Sequence, residues 1–298
     1  MNRVKYISSV FLRMLSLLIG VSIISFILVT NSPIDPLTSY IGAESTLSVE
    51  AKEEIAEHWG LNDPPLERFA SWGKNVLKGD FGTSITYKQQ VSTVILERFK
   101  YSIVLMLVAW CFSGIVGFLI GILAGIYKGS LFDKIIKIFC LALQSAPTFW
   151  IGLLILSLFS VYLGWFPIGF AVPMGKLSLE ITIWDRIYHL ILPALTLSIL
   201  GISRVTLFTR QKLIEILNSD FILFAKARGE NTRQLVIRHG LRNIALPAIT
   251  EQFASFSELF GGIALAETVF SYPGLGTATT AAGLNGDVPL LLGIAIFS

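Results

Sequence analysis

Two long stretches without a charged residue decide what this chain can fold into. No Asp, Glu, Lys or Arg occurs between Lys100 and Lys128, and none between Lys137 and Lys176. About 20 predominantly apolar residues cross a bilayer as an α-helix, which satisfies every backbone polar group inside the segment. Composition agrees with that reading: 53% of the 298 residues are hydrophobic and 14% charged, at a mean hydropathy of +0.70. Soluble domains carry about a quarter charged residues. The alternation of a transmembrane barrel is missing, so the expected fold is all-α and polytopic.

The first span is read at Val10–Thr30, behind Arg3, Lys5 and Arg13. It exceeds a signal-peptide core of roughly 7–15 residues and no A-x-A-like site follows, which favours an uncleaved helix over a cleaved leader. Pro33 and Pro36 end it. Residues 31–100 read as a small external subdomain in which Ser48 caps a helix that carries Trp59 and stops at Gly60. The second span covers Tyr101–Tyr127. Gly117, Gly121 and Gly125 recur there at i, i+4 and form a smooth strip for close helix packing, within the chain or against a sister subunit. The third span runs from about Ile138 to Leu163 with a proline kink at Ala146-Pro147. The fourth runs from about Ile187 to Ser203 and the fifth from about Ile244 to Ala266. Val288–Phe297 opens a sixth apolar run that stops at Ser298. Six transmembrane helices are thus expected, the sixth truncated. The domain reading is 1–30 for the N-terminus and first helix, 31–100 for the external subdomain, and 101–298 for a core membrane domain containing a cytoplasmic segment at 204–243.

Loop charge orients the chain. Lys128, Lys134 and Lys137 lie in one short connection, and Arg204, Arg210, Lys212, Lys226, Arg228, Arg233, Arg238 and Arg242 in another. The opposite side has Lys176 and Arg186 in 164–186, and no Lys or Arg in 267–287. The positive-inside rule makes the rich loops and the N-terminus cytoplasmic and 31–100 external.

The motifs of intrinsic chemistry are missing. There is no G-x-x-x-x-G-K-[ST], no H-E-x-x-H and no G-x-S-x-G. His58, His189 and His239 are scattered, and Cys111 and Cys140 sit in apolar runs as packing residues. Gly283-Leu-Asn-Gly-Asp287 differs from the G-x-G-D of membrane aspartyl proteases at Leu284. No catalytic residue, metal site, cofactor of the chain's own or nucleic-acid partner is expected.

The basic stretch 225–247, AKARGENTRQLVIRHGLRNIALP, lies between two hydrophobic runs and reads as helix, turn and returning helix. Ser219 would cap a short helix with Asp220 in its first turn. Phe221, Phe224, Ala225 and Arg228 share helical spacing, Gly229 suits a left-handed stop, and Asn231 or Thr232 caps the next helix. Two readings fit: a docking helix for a soluble partner, or an amphipathic helix lying on anionic lipid.

Here the residues resemble the coupling segment of permease subunits of binding-protein-dependent ABC importers, in the dipeptide/oligopeptide/nickel branch. Ala225-Lys-Ala-Arg-Gly229, His239-Gly-Leu-Arg-Asn243 and Pro247 carry the resemblance. So do Pro33-Ile-Asp-Pro36, Gly60-Leu-Asn-Asp-Pro64, Gly79-Asp-Phe-Gly-Thr-Ser84, Gln144-Ser-Ala-Pro147 and Glu267-Thr-Val-Phe-Ser-Tyr-Pro-Gly-Leu-Gly276. The resemblance implies an ABC importer permease fold in the bacterial cytoplasmic membrane, set in a lipid bilayer. It implies coupling through Phe221, Phe224, Ala225, Ala227 and Gly229, with His239, Arg242, Asn243 and Pro247 in the returning helix. Its implied partners are a second homologous permease, two cytoplasmic ATPase subunits that bind ATP and magnesium, and an external substrate-binding protein. The implied cargo is a peptide, nickel or a metal chelate (metallophore). Gly240 stands where the family usually has alanine, and the family continues through the sixth span, so a shortened gene product or a truncated version of it is expected.

Glu251 and Glu258 fall seven apart in the otherwise uncharged fifth span, on nearly one helix face. Carboxylates at membrane depth line a watery pathway or pair internally. With Gln144 and Ser145 they are the candidate substrate-pathway residues, favouring a cationic cargo; the alternative is a structural bond to a neighbouring span such as Gln144 or Ser145. A proton-coupled secondary transporter using Glu251 and Glu258 is the competing function, although the spans show no inverted repeat.

Overall fold

A computed structural model describes residues 3–33, 37, 53 and 63–298. The expected helix from Ser48 through Trp59 to Gly60, and most of the Pro33–Pro36 and Gly60–Pro64 motifs, lie outside the described residues. The apolar runs become helices: α1 (Arg3–Thr30), α2 (Pro65–Val76), α3 (Val91–Ile126), α4 (Leu131–Ser145), α5 (Thr148–Ile155, prolonged by a π-helical turn at Leu156–Tyr162) and α6 (Ile183–Leu217). The shorter α7 (Asp220–Ala227) and α8 (Thr232–Gln234, prolonged by a π-helical turn at Leu235–Gly240) follow. The chain then forms α9 (Leu241–Ala254), α10 (Phe256–Val269), α11 (Leu275–Leu284) and α12 (Val288–Phe297).

Three expected spans take a different form. The third is broken rather than kinked: α4 and α5 meet at 111°. Ala146 before Pro147 adopts extended backbone, φ −90 and ψ 138, since the proline ring excludes the helical region for its predecessor. The fifth divides at Ser255 into α9 and α10, of 14 residues each. The fourth continues past Arg204 to Leu217. Its expected end marked where apolarity stops, but Arg, Lys, Gln and Glu are good helix formers, so the helix leaves the apolar zone without unwinding. Among the described residues, three unbroken helices are long and apolar enough to cross a membrane, or four if α4 and α5 make one span.

The described residues cluster into two compact units, 1–100 with 274–298, and 101–273. The sequence reading grouped 274–298 with the core membrane domain; in the structure they cluster with 1–100. In that unit α12 packs on α1, and Val91, Val94 and Ile95 of α3 bury against Ala278, Ala282, Leu290 and Ile294. Asp287 is fully buried at the N-cap of α12. It accepts hydrogen bonds from the Ser84 hydroxyl (2.6 Å), the Thr86 amide (2.9 Å) and the Leu290 amide (3.1 Å). This carboxylate thus fastens the 79–86 loop to the last helix.

The second unit, 101–273, is organised by the glycine strip of α3. The strip packs inside the chain, against α6. A Cβ on Gly117 would stand 2.8 Å from Val205 Cβ, one on Gly121 2.7 Å from the Thr206 carbonyl oxygen, and one on Gly125 2.9 Å from Leu213 Cδ2. Thr206 donates its hydroxyl hydrogen bond to the Gly117 carbonyl at 3.2 Å. Close backbone approach of this kind substitutes for the hydrophobic drive that lipid does not supply. Gln252 of α9 and Trp110 of α3 bond reciprocally: the Gln252 amide donates to the Trp110 carbonyl (2.7 Å) and the Trp110 indole to the Gln252 carbonyl (2.9 Å). His189 is held in place as well, its Nδ1 donating to the Gly169 carbonyl at 2.8 Å.

Candidate functional site

The segment 204–243 is built on the overrun of α6. After Leu217 the chain turns at Asn218-Ser219 and enters α7. Ser219 occupies the N-cap with extended backbone, but its hydroxyl donates back to the Ile216 carbonyl (2.6 Å) and does not cap the helix. The hydroxyl shares the Ile216 carbonyl with the Ser219 amide, which bonds it at 3.0 Å, a local side-chain bond that competes with capping. Gly229 ends α7 as the motif predicts, at φ +89. Its amide bonds the Lys226 carbonyl (2.9 Å) and the Glu230 amide bonds the Ala225 carbonyl (3.3 Å), the paired bonds of a Schellman stop. Asn231, rather than Thr232, caps α8 by accepting from the Gln234 amide at 3.0 Å, and the Gln234 side chain returns a bond to the Asn231 amide.

The two faces of α7 differ from the expected face in one respect. Ala225 is not on the outward surface: with Ile222 and Leu235 it forms a small buried cluster backed by Ile216 and Leu217. Spacing alone aligned Ala225 with Phe221 and Phe224, but the returning segment covers the 222/225 side. The exposed surface is Phe221, Leu223, Phe224 (72% exposed) and Ala227, flanked by Lys226 and Arg228. His239 bonds Glu230 (Nε2 to Oε2, 3.1 Å) and its ring meets Phe221 edge-on. Asn243 donates to the His239 carbonyl at 2.7 Å, and Arg242 is exposed. Pro247 lies inside α9 and does not open it. Gly240 is buried, and a Cβ there would come within 3.0 Å of Leu213 Cδ1, so this backbone approaches α6 closely.

A second node, which the sequence reading did not foresee, secures α6 above α7. Arg210 grips Asp133 with both Nε and Nη2, the latter at 2.8 Å. Asp133 is 1% exposed and also accepts from the Gly129 amide at 2.9 Å. A bidentate fork of this type fixes orientation as well as distance. The connection that carries Lys128, Lys134 and Lys137 is thereby locked to the helix leading into α7.

The pathway candidates separate. Because of the break at Ser255, Glu251 belongs to α9 and Glu258 to α10, and they do not form one continuous stripe. Glu258 pairs with Arg204 of α6 at 2.5 Å, not with Gln144 or Ser145. The Ser145 hydroxyl turns back onto the Leu141 carbonyl, and both Gln144 and Ser145 are exposed at the α4–α5 break. Arg204 is the residue that reading the sequence missed. The sequence reading counts it among the charges of the basic connection, just past the fourth span, although a carboxylate in an apolar run calls for a counter-charge on a neighbouring helix. The motif at 267–276 is internal: Glu267 is fully buried and accepts from the Ser102 hydroxyl at 2.5 Å. Tyr272 stacks edge-on with Tyr101, and burial pushes its phenol up to about 12.

The family model described as binding-protein-dependent transport system inner membrane component matches residues 117–298. The chain is 34% identical to the oligopeptide transport system permease protein AppB of Bacillus subtilis, over 96% of this chain and 90% of that protein. It is 33% identical to the di/tripeptide transport system permease protein DppB of Pseudomonas aeruginosa, over 94% and 88% respectively. Against the dipeptide transport system permease protein DppB of Escherichia coli the identity is 30%, over 92% and 86%.

Proposed function

This chain belongs to the family of inner membrane components of binding-protein-dependent transport systems, and we propose that it is a permease subunit of a peptide importer driven by separate ATPases. The peptide assignment rests on relatives named for oligopeptide, di/tripeptide and dipeptide transport, each matched along more than nine-tenths of this chain. Nickel and metal chelates receive no such support. In this reading an external binding protein delivers the peptide, a second permease completes the pore, and ATP is bound and hydrolysed only by the partner ATPases.

One observation carries the mechanism: α7 presents Phe221, Leu223 and Phe224 outward while Ile222 and Ala225 hold it to its own chain. A rigid, short helix with an exposed aromatic surface is a handle for a protein groove; aromatic anchors dominate such contacts. Displacement of α7 by an ATPase would pass directly into α6, since only Asn218 and Ser219 separate them. The Arg210–Asp133 fork would carry the same motion to α4. The N-terminus, the 128–137 connection and α7 would face the cytoplasm, consistent with the distribution of Lys and Arg.

The test is co-purification. Expressed with its partner subunits, the chain should bring down an ATP-hydrolysing subunit, and Phe224→Asp should release that subunit while leaving the chain folded. Consistent recovery of intact wild-type chain without ATPase would overturn the assignment.

A further inference from the structure

Arg204 and Glu258 meet where two backbone interruptions converge. Their cleft is lined by Thr148, the first residue after the α4–α5 break, and by Ser255, which separates α9 from α10, with Gly201 and Gly262 opening the wall. Interrupted helices at membrane depth are tolerated where they are covered by protein or border a watery cavity; in secondary transporters, a different class, such breaks mark the substrate site. The other ion pair of this unit that joins α6 to a neighbouring helix, Arg210–Asp133, is shut, with side chains 12% and 1% exposed. Arg204 and Glu258 are 40% and 60% exposed and so keep open faces.

We propose that Arg204 and Glu258 form a station for the two charged ends of a zwitterionic peptide, Arg204 taking the α-carboxylate and Glu258 the α-ammonium. The inference rests on the peptide-importer reading and adds to it the permease residues that read the cargo. Parting the two side chains takes from each its counter-charge, a penalty limited by their exposure. A ligand that carries both signs escapes that penalty by replacing each partner at once. A singly charged or neutral ligand does not. As described, the cleft holds only about 40 Å³, room for a few water molecules and not for a peptide. The closed pair therefore excludes a peptide, and entry requires the two side chains to part. Thr148 adds a hydroxyl beside the parted charges, whereas the Ser255 hydroxyl already donates to the Gln252 carbonyl at 2.9 Å.

The complete complex, with its binding protein and ATPases, should be reconstituted in vesicles and supplied with trialanine, trialanine amide or N-acetyl-trialanine. Initial uptake rates are compared for wild type, Arg204→Gln and Glu258→Gln, with assembly checked by gel filtration. Glu258→Gln should lower the preference for trialanine over the N-acetyl form roughly tenfold, the low end for a hydrogen bond to a charged group, and leave the preference over the amide unchanged. Arg204→Gln should do the converse. The binding protein is the same in every arm, so its own selectivity cancels in these ratios. A purely structural pair would reduce all three rates alike in both variants; that result, or unchanged preferences, overturns the proposal while leaving the importer intact. Failure of the wild-type complex to take up any of the three overturns the peptide reading itself.

Discussion

Gly121 and Gly261 make a matched pair of tests, since both lie in helices and differ in what surrounds them. A methyl group at Gly121 would collide with the backbone carbonyl of Thr206 at 2.7 Å, whereas nothing lies within 4 Å of one at Gly261. Gly121→Ala should therefore destabilise the purified chain by about 1–3 kcal/mol, the usual cost of overpacking. Gly261→Ala should be neutral or stabilising by up to about 1 kcal/mol, because it restricts the unfolded chain. Thermal unfolding in detergent compares them; equal stability would mean that α3 and α6 can separate without loss. At Asp287 the expected failure is electrostatic. Asp287→Ala strands the Thr86 and Leu290 amides and should cost at least about 2 kcal/mol, with Asp287→Asn milder because one acceptor oxygen remains. Limited proteolysis of the 79–86 loop reads this directly: unchanged protection in Asp287→Ala would show that the carboxylate does not hold the loop.

At the scale of elements, α7 separates folding from docking. Phe224 is 72% exposed, so Phe224→Ala should change the chain's own stability by no more than about 0.5 kcal/mol while sharply reducing ATPase retention and peptide uptake. Gly229→Val acts differently. Nothing crowds the position, but φ is +89, and a β-branched residue there costs at least about 1–2 kcal/mol of backbone strain. Uptake should fall because the Schellman stop unravels and α7 loses its angle. Wild-type uptake in both variants would remove α7 from the coupling mechanism. The termini of this element were legible because caps and stops are local: Gly229 and Asn231 act on neighbours within a few residues. The direction of Ala225 was not, since Leu235 covers it from the far side of the turn. The Ser219 hydroxyl likewise chose a carbonyl of α6 over the amides of α7, a competition that composition does not decide.

For the whole molecule, the orientation drawn from loop charge makes a labelling prediction. With Cys111 and Cys140 replaced by alanine, a cysteine at Lys176 should react with an impermeant thiol reagent added outside right-side-out vesicles. One at Thr232 should react only after permeabilisation. The reverse pattern would invert the membrane topology and with it the side on which α7 meets its ATPase. Lys176 suits the purpose because its pairing with Asp185 is partly exposed, so its loss costs little.

What the sequence determined by itself is whatever depends on neighbours along the chain or on the bilayer as solvent. The uncharged runs required helices, the spacing of the glycines required one smooth face, the proline at 147 required an interruption, and the motifs required the family. Tertiary structure decided which partners those features meet. The glycine face turned inward to α6, the interruption became a 111° bend, and Arg204, counted from the sequence among the charges of the basic connection, became the counter-charge of Glu258. The reason is physical: local backbone preferences act within a few residues. Pairing of charges and close packing of helices act between residues far apart in sequence, such as 204 and 258 or 121 and 206, and follow only once the helices have been set side by side.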